Sequence, residues 1–147
     1  MKTLWLRSIQ FSVFLLLTAL LLSACRSTLT PQKDLHSTLD RFTQALRWGD
    51  HGAVASYFVD AQEGKAFIKR QREREQINVT AVRVVDVAHG DEGLSAEVTL
   101  EIEYYELPSA SLRRFDTVQQ WRAAGIDNTG QGRWLLETPF PPFPGAD

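Results

Sequence analysis

The sequence predicts an α+β fold that follows a cleaved signal peptide, with two to three N-terminal helices packed on a curved antiparallel sheet. Apolar residues recur at helical spacing after residue 31, and from residue 77 the pattern changes to alternation, which is typical of strands. Turn-forming segments separate the alternating stretches. Helices followed by strands with short connections are the pattern of an α+β domain that contains an antiparallel meander.

The length and composition indicate one ordinary folded domain. The 147 residues are 44% hydrophobic and 23% charged, with a formal net charge of −2 at pH 7. These values exclude a collagen, an extended disordered chain and a polytopic membrane protein. The charge gives no reason to expect nucleic acid as a partner, because nucleic-acid-binding domains carry a basic excess. The single cysteine excludes an internal disulfide framework.

Residues 1–24 have the pattern of a secretory signal peptide. Lys2 and Arg7 precede an apolar run over residues 11–22, and small residues follow it. These twelve residues would span about 18 Å as a helix, which is less than the roughly 30 Å hydrocarbon core of a bilayer. The segment therefore predicts a cleaved signal rather than a permanent transmembrane anchor.

The apolar run ends in Leu22-Ser23-Ala24-Cys25, and this motif resembles the lipobox of bacterial lipoproteins. The resemblance implies cleavage before Cys25 and the attachment of diacylglycerol and a further acyl chain, such as palmitate. The membrane is then a partner of the protein through the lipid on Cys25, and two or more chains make such an anchor stable. A plain secreted protein with an unrelated cysteine is the alternative.

Residue 26 bears on the destination of the protein within the cell envelope. Gram-negative lipoproteins with aspartate after the lipidated cysteine tend to stay at the inner membrane, so Arg26 implies export to the periplasmic face of the outer membrane in such a host. Residues 25–30 are then the lipidated end and a short tether, residues 31–138 the α+β domain, and residues 139–147 a proline-rich tail.

The helical half of the domain divides into three segments. Thr30 and Pro31 form a helix start. One apolar face follows at spacings of four, three and four residues, and consists of Leu35, Leu39, Phe42 and Leu46. Gly49 ends this helix, and a short second helix is expected over residues 51–59. Asp60 with Glu63 fits a capping box that opens a third helix toward residue 76.

The third helical segment carries a run of basic residues. They are Lys65, Lys69, Arg70, Arg72 and Arg74, interspersed with Glu73 and Glu75. Such a run predicts a solvated helix face that Phe67 and Ile68 anchor to the core. The alternative is a surface for an anionic envelope component such as lipopolysaccharide or peptidoglycan.

The second half of the domain predicts four strands. They are expected over residues 77–88, 94–105, 112–123 and 133–138, with turns between them. Glu97, Glu101 and Glu103 form an acidic stripe on one face, and the next strand supplies cross-strand charge partners at Arg113, Arg114 and Arg122. Residues 139–147 contain four prolines and should leave the sheet. We expect the phenylalanines of this tail to fold back over the domain, the alternative being a partner's groove.

The expected core combines both halves of the domain. Its predicted members are Leu39, Phe42, Leu46, Phe58, Leu100, Ile102, Trp121 and Trp134. An aromatic-rich interior is expected to include Trp48, Tyr57, Tyr104 and Phe115 as well. His36, His51 and His89 occupy positions suited to solvent and lack metal-ligand spacing, so we predict no metal site.

The domain also resembles the nuclear transport factor two-like superfamily, which includes ketosteroid isomerase, scytalone dehydratase and SnoaL-type cyclases. Four segments carry the resemblance, namely residues 42–50, residues 54–58, Gln120-Trp121-Arg122 and residues 132–136. It implies a cone-like sheet that curls around a pocket. The candidate pocket residues are Tyr57, Asp86, Tyr104, Trp121 and Trp134, and a filled core is the alternative.

Two functions from different classes remain open on the sequence. The favoured hypothesis is a membrane-anchored, non-catalytic module that binds an apolar ligand or assembles with an envelope protein. The alternative is a small cofactor-free isomerase or dehydratase-like enzyme, in which Asp86 or Asp116 acts as a base beside Tyr57 or Tyr104. No residue matches a catalytic motif of the superfamily position by position, and no cofactor-binding motif is present.

Overall fold

A computed structural model describes residues 31–125 and 132–145. The predicted signal peptide, Cys25 and the tether lie outside the described residues. The described chain forms three helices, namely α1 (Pro31–Arg47), α2 (His51–Ala55) and α3 (Ala61–Arg72). The strands that follow are β1 (Ile77–His89), β2 (Ser95–Glu106), β3 (Arg113–Ala124) and β4 (Arg133–Leu136). In this part of the chain, no helix has the length and apolar character needed to cross a bilayer.

The four strands form one antiparallel sheet in the order β1-β2-β3-β4, so the predicted α+β class and meander are confirmed. The register of β1 against β2 shifts between Val79 and Ala81 and again between Val84 and Asp86. Each shift adds one residue to β1 relative to its partner strand, and such bulges bend a strand and increase its twist. The irregular edge strand is therefore consistent with a curved sheet.

The helices cover one face of the sheet because that face carries the apolar residues of the alternating pattern. All eight residues predicted for the core are buried. Leu35 and Val54 join them from the helices, and Val98 and Leu136 from the sheet. Trp48 is an exception among the aromatics expected inside, because its side chain is 74% exposed. It lies two residues beyond Leu46, about 200° around the helix axis from the apolar stripe.

The second helix is shorter than predicted because the chain after Ala55 joins the sheet instead. The backbone N–H of Val59 donates to Leu136 at 2.9 Å, and that of Leu136 donates to Tyr57 at 2.7 Å. These bonds pair the N–H of Val59 and the carbonyl of Tyr57 with Leu136, so that Phe58 between them forms an isolated parallel bridge with Leu136 at the edge of β4. The third helix likewise ends at Arg72 rather than near residue 76, since a turn leads into β1.

The C-terminal tail packs against the domain. Phe140 and Phe143 are buried, and their rings contact those of Phe67 and Tyr104 at centroid distances of 5.4 and 5.0 Å, respectively. The Tyr104 hydroxyl donates a hydrogen bond to the carbonyl of Pro144 at 2.5 Å. The prediction that the tail phenylalanines fold back is confirmed for the described residues.

Candidate functional site

The residues predicted to line a cone pocket lie in different environments. Tyr104, Trp121 and Trp134 are buried in the core, with at most 1% of each side chain exposed. Asp86 is exposed and pairs in register with Thr99, on the face of the sheet that points away from the helices. The structure therefore brings three of the five candidates into the packed interior and puts Asp86 on the opposite face.

Tyr57 is half-buried at the end of α2. Its ring stands edge-on to those of Phe42 and Trp121, with centroids 5.6 and 6.1 Å away. Together with Trp134, Tyr57 also lines a shallow depression of about 370 Å³ between α1 and the start of β4. Tyr57 thus reaches the surface, whereas Phe42 and Trp121, the rings it contacts, are buried in the core.

The carboxylates considered for acid–base chemistry do not meet the tyrosines. Asp116 is exposed and pairs in register with Glu101 on the outer face of the sheet. Tyr104 faces the helices, and its hydroxyl already donates to the Pro144 carbonyl. A base must lie within hydrogen-bond reach of the group it deprotonates. Asp116 and Tyr104 lie on opposite faces of the sheet, so they cannot both reach one substrate group.

The interior contains polar atoms with no partner among the described residues. Gln119 is fully buried, and neither its amide nitrogen nor its amide oxygen is hydrogen-bonded. The indole nitrogen of Trp121, two residues further along β3, is also unpaired. Both side chains lie on the face that the helices cover. The sequence analysis identified Trp121 as a pocket candidate but did not single out Gln119. The alternation in β3 already puts Gln119 on the same inner face as Thr117 and Trp121.

An open cleft of about 280 Å³ lies at one end of the domain, where α1 ends and α3 leads into β1. We call it the Trp48 cleft. Its apolar floor consists of Leu46, Phe67, Ile77, Val79 and Phe143. Its polar rim consists of Arg47, Trp48, His51, Gln71, Arg72, Arg74, Glu75 and Asn78.

The end of α1 explains why Trp48 projects into solvent. Gly49 adopts a left-handed conformation with φ +68°. Its N–H donates to Leu46 at 3.3 Å, and the N–H of Asp50 donates to Ala45 at 2.9 Å. This pair of bonds is the Schellman motif, in which a glycine at the left-handed position reverses the chain and leaves the preceding residue on the rim. The guanidinium of Arg47 lies 5.9 Å from the centre of the Trp48 ring, within the range of a cation–π contact.

The Trp48 cleft is locally basic. Three arginines and one glutamate line it, whereas the chain as a whole has a net charge of −2. Among the described residues, no carboxylate lies within salt-bridge distance of Arg47 or Arg72. Arg74 donates to the carbonyl of Phe143 at 3.4 Å, so the tail closes one side of the cleft. The basic run of the third helical segment was predicted to be a solvated face. Two of its residues, Arg72 and Arg74, instead line a concave site.

His51 is half-buried in this cleft rather than solvent-facing, and its ring lies edge-on to Phe67 at 6.0 Å. Burial lowers the pKa of the His51 imidazole, because the charged form loses hydration. The neighbouring Asp50 carboxylate opposes this shift, while the positive charge of Arg72 adds to it. The cleft thus contains a half-buried histidine whose pKa lies below its usual value.

The outer face of the sheet carries ion pairs across its strands: the predicted partner Arg114 pairs with the acidic stripe, and so does Arg83 of β1, which was not predicted. Arg83 contacts Glu101 at 2.6 Å, and Arg114 contacts Glu103 at 2.9 Å. The hydrogen bond from Arg114 lowers the pKa of the Glu103 carboxyl. The other two predicted arginine partners differ, since Arg122 pairs with Glu137 at 2.5 Å and Arg113 with carbonyls of the tail.

No cluster of three or more potential metal ligands occurs within residues 31–125 and 132–145. The donor set of the Trp48 cleft, with its arginines and amides, is suited to anions and hydroxyl groups rather than to cations. The chemistry this site can perform is therefore recognition by charge, hydrogen bonding and aromatic contact.

No protein-family model matches the sequence, and no curated protein matches it. Among solved structures, the fold is similar to a SEC-C motif-containing protein from Psychrobacter arcticus, at 13% sequence identity and a TM-score of 0.49. The aligned part covers 76% of this chain and 60% of that protein, so the chain spans less than two thirds of its length.

Proposed function

We propose that the protein is a lipid-anchored lipoprotein of the bacterial cell envelope and that its domain is a non-catalytic module for binding or assembly. The proposed anchor is the lipid on Cys25, at the end of the motif Leu22-Ser23-Ala24-Cys25. In a Gram-negative host, Arg26 favours the periplasmic face of the outer membrane. No cofactor forms part of this proposal.

The observation that carries the binding function is the Trp48 cleft. On the rim of this cleft, a tryptophan that is 74% exposed lies beside two arginines that make no ion pair with a carboxylate of the described chain. Tryptophan and arginine are also the side chains that contribute most often to binding energy at recognition sites. A concave site with an apolar floor and a few polar groups is the usual form of a ligand site.

We propose further that the domain is a nuclear transport factor two-like cone. Its support is the succession of helices and a bulged antiparallel meander, together with the helices' position on one face of the sheet. Trp121 and Trp134, which carry part of the sequence resemblance, lie at the centre of this packing. The tail residues Phe140 and Phe143 are also buried in this packing, which favours a site at the rim over one at the centre.

Binding is favoured over the isomerase or dehydratase-like alternative by the arrangement of the carboxylates. Asp86 and Asp116 lie exposed on the outer face of the sheet, whereas Tyr104 lies on the face that the helices cover, so neither carboxylate can act together with that hydroxyl on one substrate. The buried Tyr104 hydroxyl is committed to the tail carbonyl. No observation on the described residues favours catalysis specifically.

The experiment that tests the anchor uses metabolic labelling with a fatty acid. The wild-type chain should incorporate the label, whereas Cys25→Ser should not, and equal labelling of both would overturn the proposal. Arg26→Asp should shift the protein toward the inner membrane on fractionation in a Gram-negative host. Mass spectrometry of the wild-type protein purified in detergent should then detect a co-purifying ligand or envelope protein that Trp48→Ala reduces.

A further inference from the structure

The Trp48 cleft presents three kinds of group that together restrict what it binds. The indole of Trp48 offers a flat apolar surface, because Arg47 stacks near one side while most of the ring remains exposed. The amides of Gln71 and Asn78 and the carboxylate of Glu75 offer both hydrogen-bond donors and acceptors. Arg72 offers a positive charge that no carboxylate of the described chain neutralises.

Each kind of group matches part of a sugar. The ring of a pyranose has an apolar face of C–H groups that stacks on an aromatic side chain, and hydroxyl and acetamido groups around its edge that pair with amides and carboxylates. The arginines add a requirement for negative charge, since a guanidinium recognises a carboxylate through two parallel hydrogen bonds. A volume of about 280 Å³ with one open side suits one sugar residue that continues into solvent as a chain.

A polyphosphate or a strongly acidic polymer fits the cleft less well. Glu75 lies on the same rim as Arg72 and Arg74, and its carboxylate repels a ligand that carries several negative charges. Arg74 already donates to the Phe143 carbonyl. The balance of charges therefore favours a ligand with one carboxylate per recognised unit.

The position of the cleft within the domain favours a target away from the anchoring membrane. The predicted anchor at Cys25 precedes Pro31, the first residue of α1, whereas Trp48 follows the last residue of α1. The 17 residues of α1 separate these ends by about 25 Å. Trp48 therefore lies at the end of α1 remote from Pro31, where the described chain begins, which favours a ligand that extends from the domain into the aqueous envelope.

We propose that the Trp48 cleft binds a carboxylated amino sugar of an envelope glycan, with the sugar ring on Trp48 and the carboxylate on Arg72. This ligand class rests on the proposed function, and it specifies what the binding module recognises. Arg47 positions the indole from one side, and Gln71 and Asn78 contact the ring substituents. The proposal concerns a single sugar residue whose acidic substituent is a free carboxylate.

The test measures binding of a defined disaccharide, N-acetylglucosaminyl-N-acetylmuramic acid, to the full-length protein purified in detergent. Trp121 and Trp134 are buried, and Trp5 is common to the wild type and Trp48→Phe, so the difference in acrylamide quenching between these two proteins should report on Trp48. Saturable protection from acrylamide is the expected result. Trp48→Phe serves as the reference that lacks the exposed indole, and calorimetry measures the affinity of the variants.

The variants separate the proposed contacts from general effects. Trp48→Ala and Arg72→Gln should each weaken binding by about tenfold or more, which is the usual effect of removing a central contact. Arg41→Gln makes the same charge change at an exposed position of α1 outside the cleft, and it should leave the affinity within about twofold. Unchanged melting temperatures would show that the losses are local.

Three outcomes would overturn the proposal. The first is absence of binding, or binding that Trp48→Ala and Arg72→Gln leave unchanged. The second is equal affinity for N,N′-diacetylchitobiose, which lacks the carboxylate. The third is protection of Trp48 by vesicles of phosphatidylethanolamine and phosphatidylglycerol but not by the disaccharide, which would indicate a lipid headgroup. Fatty-acid labelling of Cys25 is scored separately, so failure of the sugar ligand and failure of the lipoprotein proposal are distinguishable.

Discussion

Replacing Phe143 with alanine tests how the C-terminal tail is held on the domain. The side chain is only 3% exposed, and its ring lies 5.0 Å from that of Tyr104 and 5.5 Å from that of Phe115, measured between centroids. Truncating a buried phenylalanine to alanine costs about 3–5 kcal/mol when the surroundings cannot collapse into the space. For a domain of this size, such a loss lowers the melting temperature by about 10–20 °C.

The tail itself limits this cost, because residues 139–145 can detach locally while the sheet remains folded. Tyr104→Phe also weakens the attachment of the tail, because it removes the hydroxyl that donates to the Pro144 carbonyl. It should lower the free energy of unfolding by about 0.5–1.5 kcal/mol. Since both substitutions release the same segment, the double variant should lose less stability than the sum of the two single losses.

Circular dichroism of the full-length protein in detergent measures the melting temperature, and limited proteolysis near the C-terminus measures detachment of the tail. Phe143→Ala should melt earlier and lose its C-terminal residues faster, because it weakens the cover over Tyr104 and Phe115. Leu112→Ala is the matched control, since Leu112 is 61% exposed and its truncation should change stability by no more than about 0.5 kcal/mol. A Phe143→Ala protein with wild-type melting and proteolysis would refute the reasoning.

The remaining predictions concern the core, a helix cap and a half-buried histidine. Leu100→Ala should lose about 2–5 kcal/mol in denaturant unfolding, since Leu100 is fully buried in the central strand pair, and an unchanged midpoint would contradict the packing. Asp60→Ala should lose about 0.5–2 kcal/mol, because Asp60 accepts the N–H of Gln62 at 2.8 Å, and Asp60→Asn should retain most of the stability. Burial lowers the pKa of His51 in the folded state, so the unfolded chain takes up the proton first, and stability should fall as the pH drops through about 6.5. His51→Gln should reduce this pH dependence, and an identical pH profile in the variant would contradict the role of His51.

The periodicity of apolar residues predicted helices and strands well where the apolar positions are also the buried ones. The four-residue apolar stripe of α1 identifies its inner face, and the alternation from Leu94 to Tyr104 identifies the inner face of β2. In both cases apolar residues recur with the period at which side chains return to the same side of a helix or a strand. The pattern therefore identifies the buried side of the element. The end of α2 was predicted less well, because tertiary hydrogen bonds to Leu136 draw the chain after Ala55 into the sheet.

The candidate site shows the limits of local signals more clearly. Trp48 was expected inside because aromatic residues are usually buried, but its position after the last apolar residue of α1 puts it on the rim. Asp86 was a candidate because valines surround it, yet a bulge between Val84 and Asp86 brings Asp86 opposite Thr99 on the outer face, and the composition does not reveal this bulge. Whether a residue on a strand faces the core depends on register, and a bulge changes the register without leaving a sequence signature.

The sequence by itself determined the features that depend on neighbouring residues: the helical and alternating segments, the cap at Asp60, and the departure of the proline-rich tail from the sheet. It also predicts the lipid anchor at Cys25, which remains a prediction because that residue lies outside the described chain. Tertiary structure alone decided that α1, α3, β1 and the tail meet at the Trp48 cleft. Their cleft residues are up to 97 positions apart, from Leu46 to Phe143, and such contacts arise from packing of the whole core rather than from any local preference.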